Sequence, residues 1–251
     1  MKKVALLLIL CLACAMSVQA QWEARMQYNF GIARGDMAYN IRQAHGVVLE
    51  GTYTLPKTPI AVGLEMLFSG YGHDKSRQTY TFDDGSTTET DVHVFNNVAS
   101  FHLVTRVNLL RNTPVIPYIH LKGGVSRYFT TLRIDDPQDI DDCHPLESDI
   151  LQGDVAFTGS AGFGARLDMG TMFKQMDKGR FFIDFSTNYT FGSKVDYMSV
   201  HKPTENRIPV ADVVGKFINT HHQVVHEHHV GYVYRSAIEM LDFRLGAAIR
   251  F

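Results

Sequence analysis

The chain is poor in cysteine. Three occur in 251 residues, and two of them, Cys11 and Cys14, sit in an N-terminal apolar run. Set that run aside and Cys143 is alone; one thiol closes no internal disulfide, so a disulfide-stapled scaffold is excluded. Long apolar stretches are also scarce. After residue 20 none reaches the roughly 20 residues that a membrane-crossing helix needs. Positive charge is not in excess either, with 24 Lys and Arg against 26 Asp and Glu and a net charge of −2. Losing Lys2 and Lys3 with a leader would bring this to about −4, which argues against a nucleic-acid partner. Near-neutral hydropathy does not exclude a β-barrel, because only alternate residues of its strands meet lipid.

The leader is read from residues 1–20. Met1, Lys2 and Lys3 give a cationic start, Val4 to Ala15 an apolar run, and Val18-Gln19-Ala20 a small-x-Ala cleavage pattern before Gln21. This is the three-part layout of a secretory signal peptide, and the run is too short to span a bilayer. Lipoprotein processing at Cys14 is the rival, but Cys11-Leu12-Ala13 places Leu one position late. The expected mature chain is 21–251.

What that chain has in plenty is period-two alternation, the mark of strands with two unlike faces. Leu241, Phe243, Leu245, Ala247, Ile249 and Phe251 alternate with Asp242, Arg244, Gly246, Ala248 and Arg250. Seven earlier segments repeat the pattern, beginning near Trp22, Val47, Ile60, Ala99, Ile119, Phe157 and Phe181. Phe181 to Phe191 spans roughly 33 Å at about 3.3 Å per residue. Tilted by about 40°, it rises roughly 25 Å, the height of a lipid-facing band. The expected fold class is all-β: a closed antiparallel up-and-down transmembrane β-barrel of about eight strands.

The connections alternate in length. Pro56–Pro59, Arg111–Pro114 and about a dozen residues ending at Gly179 are short; 34–46, 70–97, 127–155 and 192–237 are long. Short periplasmic turns and long outer loops are the expected asymmetry, which places both termini in the periplasm. Within the last long link, residues 206–229 read either as a short helix or as an upward extension of the final hairpin.

The polar faces carry Arg25, Arg106, Lys122, Arg166, Arg244 and Arg250 against Glu23, Glu50, Glu65, Asp168, Asp184 and Asp242. Near-balanced charge with many glycines and serines suits the inside of a narrow barrel, where each ion needs a partner. Ten of these residues are expected to form a lumen charge network: Arg25, Glu50, Glu65, Arg106, Lys122, Arg166, Asp168, Asp184, Asp242 and Arg244. The alternative is a soluble lipocalin-like barrel with its apolar face turned inward on a ligand. That fold would carry more Lys on its wet face, where only Lys122 stands.

The C-terminal series Phe243, Leu245, Ala247, Ile249 and Phe251 looks like the signal read by the barrel assembly machinery. With the leader and eight strands, the chain resembles the OmpA/OmpX-like small outer-membrane β-barrel family over nearly all of 21–251. The resemblance implies a Gram-negative-type outer membrane and its lipids as surroundings. It implies little about activity, since such barrels serve as anchors, adhesins, complex subunits and a few enzymes. The peptidoglycan-binding domain of full-length OmpA-type proteins is not expected here.

Candidate chemistry lies in the outer links. His221, His222, His226, His228 and His229 cluster around Glu227. If extended, His222, His226 and His228 share a face and could hold a transition metal or ligate haem iron. The other reading is a polar loop that happens to be His-rich, and no other cofactor is expected. Asp135, Asp136, Asp139, Asp141 and Asp142 offer Ca²⁺-type ligands but lack the EF-hand glycine turn, so a solvated acidic tip is the simpler reading. Cys143 beside them is a lone thiol. His102 and His120 on adjacent strands read either as a proton-sensitive pair or as hydrogen-bonded filling. No local motif selects a nucleophile for a lipid-modifying or proteolytic enzyme, and eight strands leave a lumen just wide enough for side chains, not for a large pore; an outer-membrane lipid-modifying enzyme or a narrow gated pore is the alternative reading. The expected role is structural or surface-interacting, with the long links carrying any recognition of an extracellular or envelope protein partner.

Overall fold

A computed structural model describes residues 22–81, 85–110, 113–136, 146–173, 175–199, 208–219 and 224–251. The expected leader, residues 1–20, lies outside these residues. Nine strands are present among them: β1 (Trp22–Ala33), β2 (Gln43–Thr54), β3 (Ile60–Thr81), β4 (Thr87–Asn108), β5 (Val115–Ile134), β6 (Glu147–Asp168), β7 (Phe181–Ser199), β8 (Ala211–Asn219) and β9 (Val224–Arg250). β1 to β7 pair in sequence order, β7 pairs with β9, and β9 closes on β1. Every ladder is antiparallel. β8 lies beside β9 alone, so the barrel has eight staves and β8–β9 is a hairpin standing on its rim.

The register fixes the shape. From Glu23 the pairing runs to Thr52, Gly63, Val104, Lys122, Ser160, Thr190 and Met240, and returns to β1 at Ala33. One circuit therefore climbs ten residues. Eight strands with that stagger tilt by about 40° and enclose a lumen that side chains fill.

At one end the connections are short. The β2–β3 turn closes with Leu55 N donating to Ile60 O at 2.8 Å, and Lys57 takes a left-handed conformation. The first and last described residues meet here as well, where Phe251 N donates to Trp22 O at 2.8 Å. The Trp22 and Tyr53 rings lie 5.1 Å apart on the outer surface.

Toward the other end the strands run on. Segments 70–97, 127–155 and 192–237, expected as loops, are largely continuations of β3 to β7 and β9. The alternation misled because the chemistry of the two faces reverses along one unbroken strand. In β4, Ser100, His102, Arg106 and Asn108 point inward at the turn end, while Val92, Val94 and Val98 point inward above them. Its outward residues change from Phe101 and Leu103 to Glu89, Asp91 and His93. β5 repeats this, with His120, Lys122 and Ser126 giving way to Tyr128, Leu132 and Ile134. Register shifts near the same level in β3 (Gly70/Gly72) and β7 (Gly192/Lys194) further break the pattern.

β1 and β2 do not extend. Their link is a 3-10 turn, Gly35–Tyr39, that buries Met37 and Ile41 in an apolar cluster with Val98, Tyr128, Tyr197 and Ile238. Gly35 adopts φ +53°, and a Cβ there would come within 2.6 Å of a Glu239 carboxylate oxygen, so the turn needs glycine.

Candidate functional site

Two chemical features are organised by this frame: the filled lumen and the outer surface of the extension. Inward side chains of the lower staves form two linked ion clusters. Glu23 is the hub of the first. Its Oε1 accepts from Arg25 and Arg106, each at 2.9 Å, and its Oε2 from Arg166 at 2.5 Å and Arg250 at 3.2 Å. Arg106 also pairs with Glu50, and Arg25 with Asp184 at 3.2 Å. Asp184 Oδ1 accepts from Tyr118 Oη and from Gln27 Nε2, both at 2.7 Å. The Arg25 and Arg106 guanidiniums lie 5.3 and 5.0 Å from the Tyr118 ring centre. Tyr118 fits because Gly164 faces it: a Cβ there would stand 2.5 Å from the ring.

The second cluster centres on Glu65, which is fully buried. Its Oε2 accepts from Lys122 at 2.5 Å and Arg244 at 2.7 Å, and His102 Nδ1 lies 3.6 Å from Oε1. His102 Nε2 continues into a hydroxyl chain through Thr158 at 2.8 Å, Ser126 at 3.0 Å and Ser100 at 2.7 Å. A void of about 20 Å³ lies among Glu65, Ser69, His102, Ser160 and Arg244. That is room for one water molecule and for no organic solute.

Eight of the ten residues expected as a network therefore sit in these clusters. The other two take different partners. Asp168 turns to the β6–β7 connection, where it caps Met169–Met172 through Gly170 N and accepts from Gly179 N, each at 3.0 Å. Backbone donors at a strand end are closer to it than any lumen cation. Asp242 accepts from Asn29 at 3.1 Å and Thr190 at 2.7 Å. Glu23, the hub, was visible on the polar face of β1, but nothing in one strand's pattern reveals that four guanidiniums converge on it. His102 and His120 do not pair. His102 is opposite Gly124 in register, and His120 bonds to Asn188 over Gly162 of the intervening β6.

Above the ions the lumen is capped by apolar side chains. Tyr71, Tyr128 and Tyr197 lie within 6.4 Å of one another, ring centre to ring centre, and the Tyr128 hydroxyl points at Met240 Sδ, 3.9 Å away.

The outer face of the extension is wet and charged. Lys75–Asp91, Arg77–Glu89 and Arg235–Asp196 pair at 2.8, 3.2 and 2.5 Å. One arrangement there was not anticipated. His73 Nε2 lies 3.0 Å from His93 Nδ1, and His93 Nε2 lies 3.0 Å from Asp135 Oδ2. An ionised Asp135 can only accept, so His93 donates to it from Nε2 and a neutral His93 accepts from His73. The chain can relay a proton, but catalysis would also require a substrate held beside His73. Nothing in the sequence signalled it, because the offset of β3 against β4 appears only in the register.

His222 lies outside the described residues. His226 and His228 fall in β9, opposite Phe217 and Gly215, and their side chains are outside the described residues. Asp139, Asp141, Asp142 and Cys143 also lie outside them. Phe243, Leu245, Ala247 and Ile249 take the outward face of β9 between β1 and β7, and Phe251 is exposed at its end.

No protein-family model and no curated protein matches the chain. Solved structures similar to it include Neisserial surface protein A (9% identity, 92% of this chain and 97% of that one, TM-score 0.39). The attachment invasion locus protein Ail of Yersinia pestis has 11% identity over 92% and 97%, with TM-score 0.37. The outer membrane protease OmpT of Escherichia coli has 12% identity over 92% and 97%, with TM-score 0.32. Superposition this loose carries no reading of activity, and the fold rests on the closed register described above. The chain is an all-β, closed antiparallel barrel of eight staves.

Proposed function

We propose that the protein is a non-conducting outer-membrane barrel that holds a rigid β-structured platform outside the cell for surface interaction. The observation that supports this most is the reversal of chemistry along single strands. On the lower staves Phe163, Leu121 and Leu103 are more than 60% exposed, while Glu65 and Asp184 are fully buried inside. That distribution is stable only with lipid outside. Higher up, valines and tyrosines turn in and charges turn out, as water outside demands. The short-turn end, with Trp22 and Phe251, then faces the periplasm.

The packed ion clusters and tyrosine cap argue against solute passage, and no observation favours an enclosed ligand of the lipocalin kind. A recognition role belongs to the extension because it presents charged side chains on a fixed scaffold. The experiment is to express the full chain, separate inner and outer membranes, and run unboiled and boiled samples on SDS gels. The expected result is a faster unboiled band in the outer-membrane fraction, with external protease cutting only beyond the belt. A periplasmic protein with no shift would refute the proposal, as would large stable conductance steps in planar bilayers.

A further inference from the structure

The belt is not uniform. On the outward face of β2 to β6 it holds a groove of about 560 Å³, lined by Leu49, Met66, Phe68, Phe101, Val125 and Arg127 among others. Ala99 keeps its floor shallow in side chain. The Phe68 and Phe129 rings, from β3 and β5, approach to 6.4 Å across β4 and form one lip. At that lip stands a cation. Arg127 points outward, in register with Ala99 and Val155, and its guanidinium lies 5.7 Å from the Phe129 ring centre. No ion pair joins Arg127 to a carboxylate among the described residues, whereas the lumen arginines Arg25, Arg106, Arg166 and Arg244 each have one. The next residue, Tyr128, already belongs to the apolar cap. Arg127 therefore marks the level at which lipid gives way to water, on the side of the extension.

An open apolar trough ending in an unpaired guanidinium at headgroup height is complementary to an acyl chain attached to an anion. Guanidinium matches phosphate in geometry as well as charge. The side matters for the occupant: given the orientation proposed above, on which this inference rests, the groove opens into the outer leaflet, where phosphorylated glycolipid is the surrounding lipid. We propose that the groove holds one acyl chain of a phosphorylated glycolipid of lipid A chemistry, with a phosphate of that molecule on Arg127. The groove sets the chain's position and Arg127 selects for the charge. The barrel thereby gains a defined lipid contact beneath its extension in place of a freely exchanging one.

The test is native mass spectrometry of the delipidated full chain in zwitterionic detergent, titrated with bisphosphorylated hexa-acyl lipid A. One lipid should be retained per barrel. Arg127→Gln should weaken retention about tenfold, and Arg127→Lys less. Ala99→Phe fills the floor and should abolish retention even with Arg127 in place. Dephosphorylated lipid A should bind the unaltered protein no better than lipid A binds Arg127→Gln. All three variants face lipid and should keep the heat-dependent gel shift. Unchanged retention by Arg127→Gln or Ala99→Phe would overturn the inference, and so would equal retention of phosphatidylglycerol. If the unaltered protein shows no gel shift, the membrane reading itself fails, a result distinct from indifference to lipid in a shifting barrel.

Discussion

The lower barrel and the extension are built from the same strands and are inside-out relative to each other. Below, the interior is ionic and the exterior apolar; above, valine, tyrosine and methionine fill the interior and charges cover the outside. β4 and β5 cross the boundary with no change in which residues point inward. On the membrane reading proposed above, what changes is the solvent: backbone geometry is indifferent to polarity, and side-chain chemistry alone would record where lipid ends. The two halves should also fail differently. An ion cluster fails when one member leaves its partners buried and unpaired, whereas an apolar cluster fails by losing volume.

The largest expected effect follows from Glu23. Glu23→Gln leaves Arg25, Arg106, Arg166 and Arg250 around a neutral amide. Breaking one member of a buried ionic group costs about 3–5 kcal/mol, and here four cations are affected. The unboiled band should move to the unfolded position at a much lower temperature. If the temperature of that shift were unchanged, the charge network would not be what holds the lower barrel.

Next is the matching deletion above. Tyr197 is fully buried, bonds to Asn40 and Ser236 at 3.2 and 3.1 Å, and packs on Tyr71 and Tyr128. Tyr197→Ala should cost about 3 kcal/mol, but locally. Hydrogen exchange should rise in the upper parts of β7 and β9, while the gel shift persists. Loss of the gel shift would mean that the two regions unfold as one and that the contrast between them is only chemical.

The same contrast explains what could be read from sequence. The eight staves were legible because apolar outward residues, such as the series from Leu241 to Phe251, recur every second position for the full height of the belt. The extension was not legible because Val92, Val94 and Val98 continue β4 on the opposite face from Phe101 and Leu103, so the apolar alternation followed on one face breaks off there. Tyr71 at the β3 register shift and Ser193 at that in β7 hide the continuation further. In the lumen, the identity of the ions was readable strand by strand. Their partners were not, because Glu23 and Arg166 are 143 positions apart and meet only through closure. Asp168 shows the converse. Its place on the polar face was clear, but nearby Gly170 and Gly179 amides claim it for the turn.

A smaller change probes the inside of the lower cluster without removing charge. Tyr118→Phe deletes the hydroxyl donor to Asp184 but keeps the ring beneath Arg25 and Arg106. Gln27 and Arg25 still serve Asp184, so the loss should be about 1–2 kcal/mol. The fall in gel-shift temperature should be a fraction of that for Glu23→Gln. An equal fall would make Tyr118, not Glu23, the organising residue.

The smallest expected effect lies on the outside of the extension, where Lys75 and Asp91 pair in water at 2.8 Å. The hydrogen bond from Lys75 holds the Asp91 carboxyl below its ordinary value of 3.8, with Arg77 and His93 nearby adding to it. A carboxyl whose pKa is lower in the folded state stabilises that state above its unfolded pKa. The stabilisation is lost as pH falls through the folded value. An NMR titration of Asp91 in bicelles should therefore give a midpoint below 3.8, rising toward it in Lys75→Gln. Because both side chains are solvated, raising the salt should move the midpoint in the same direction. Neither change should alter the gel shift. A salt-resistant midpoint would mean that the pair is shielded from water, and the outer surface of the extension would then be less unlike the lumen than its exposure indicates.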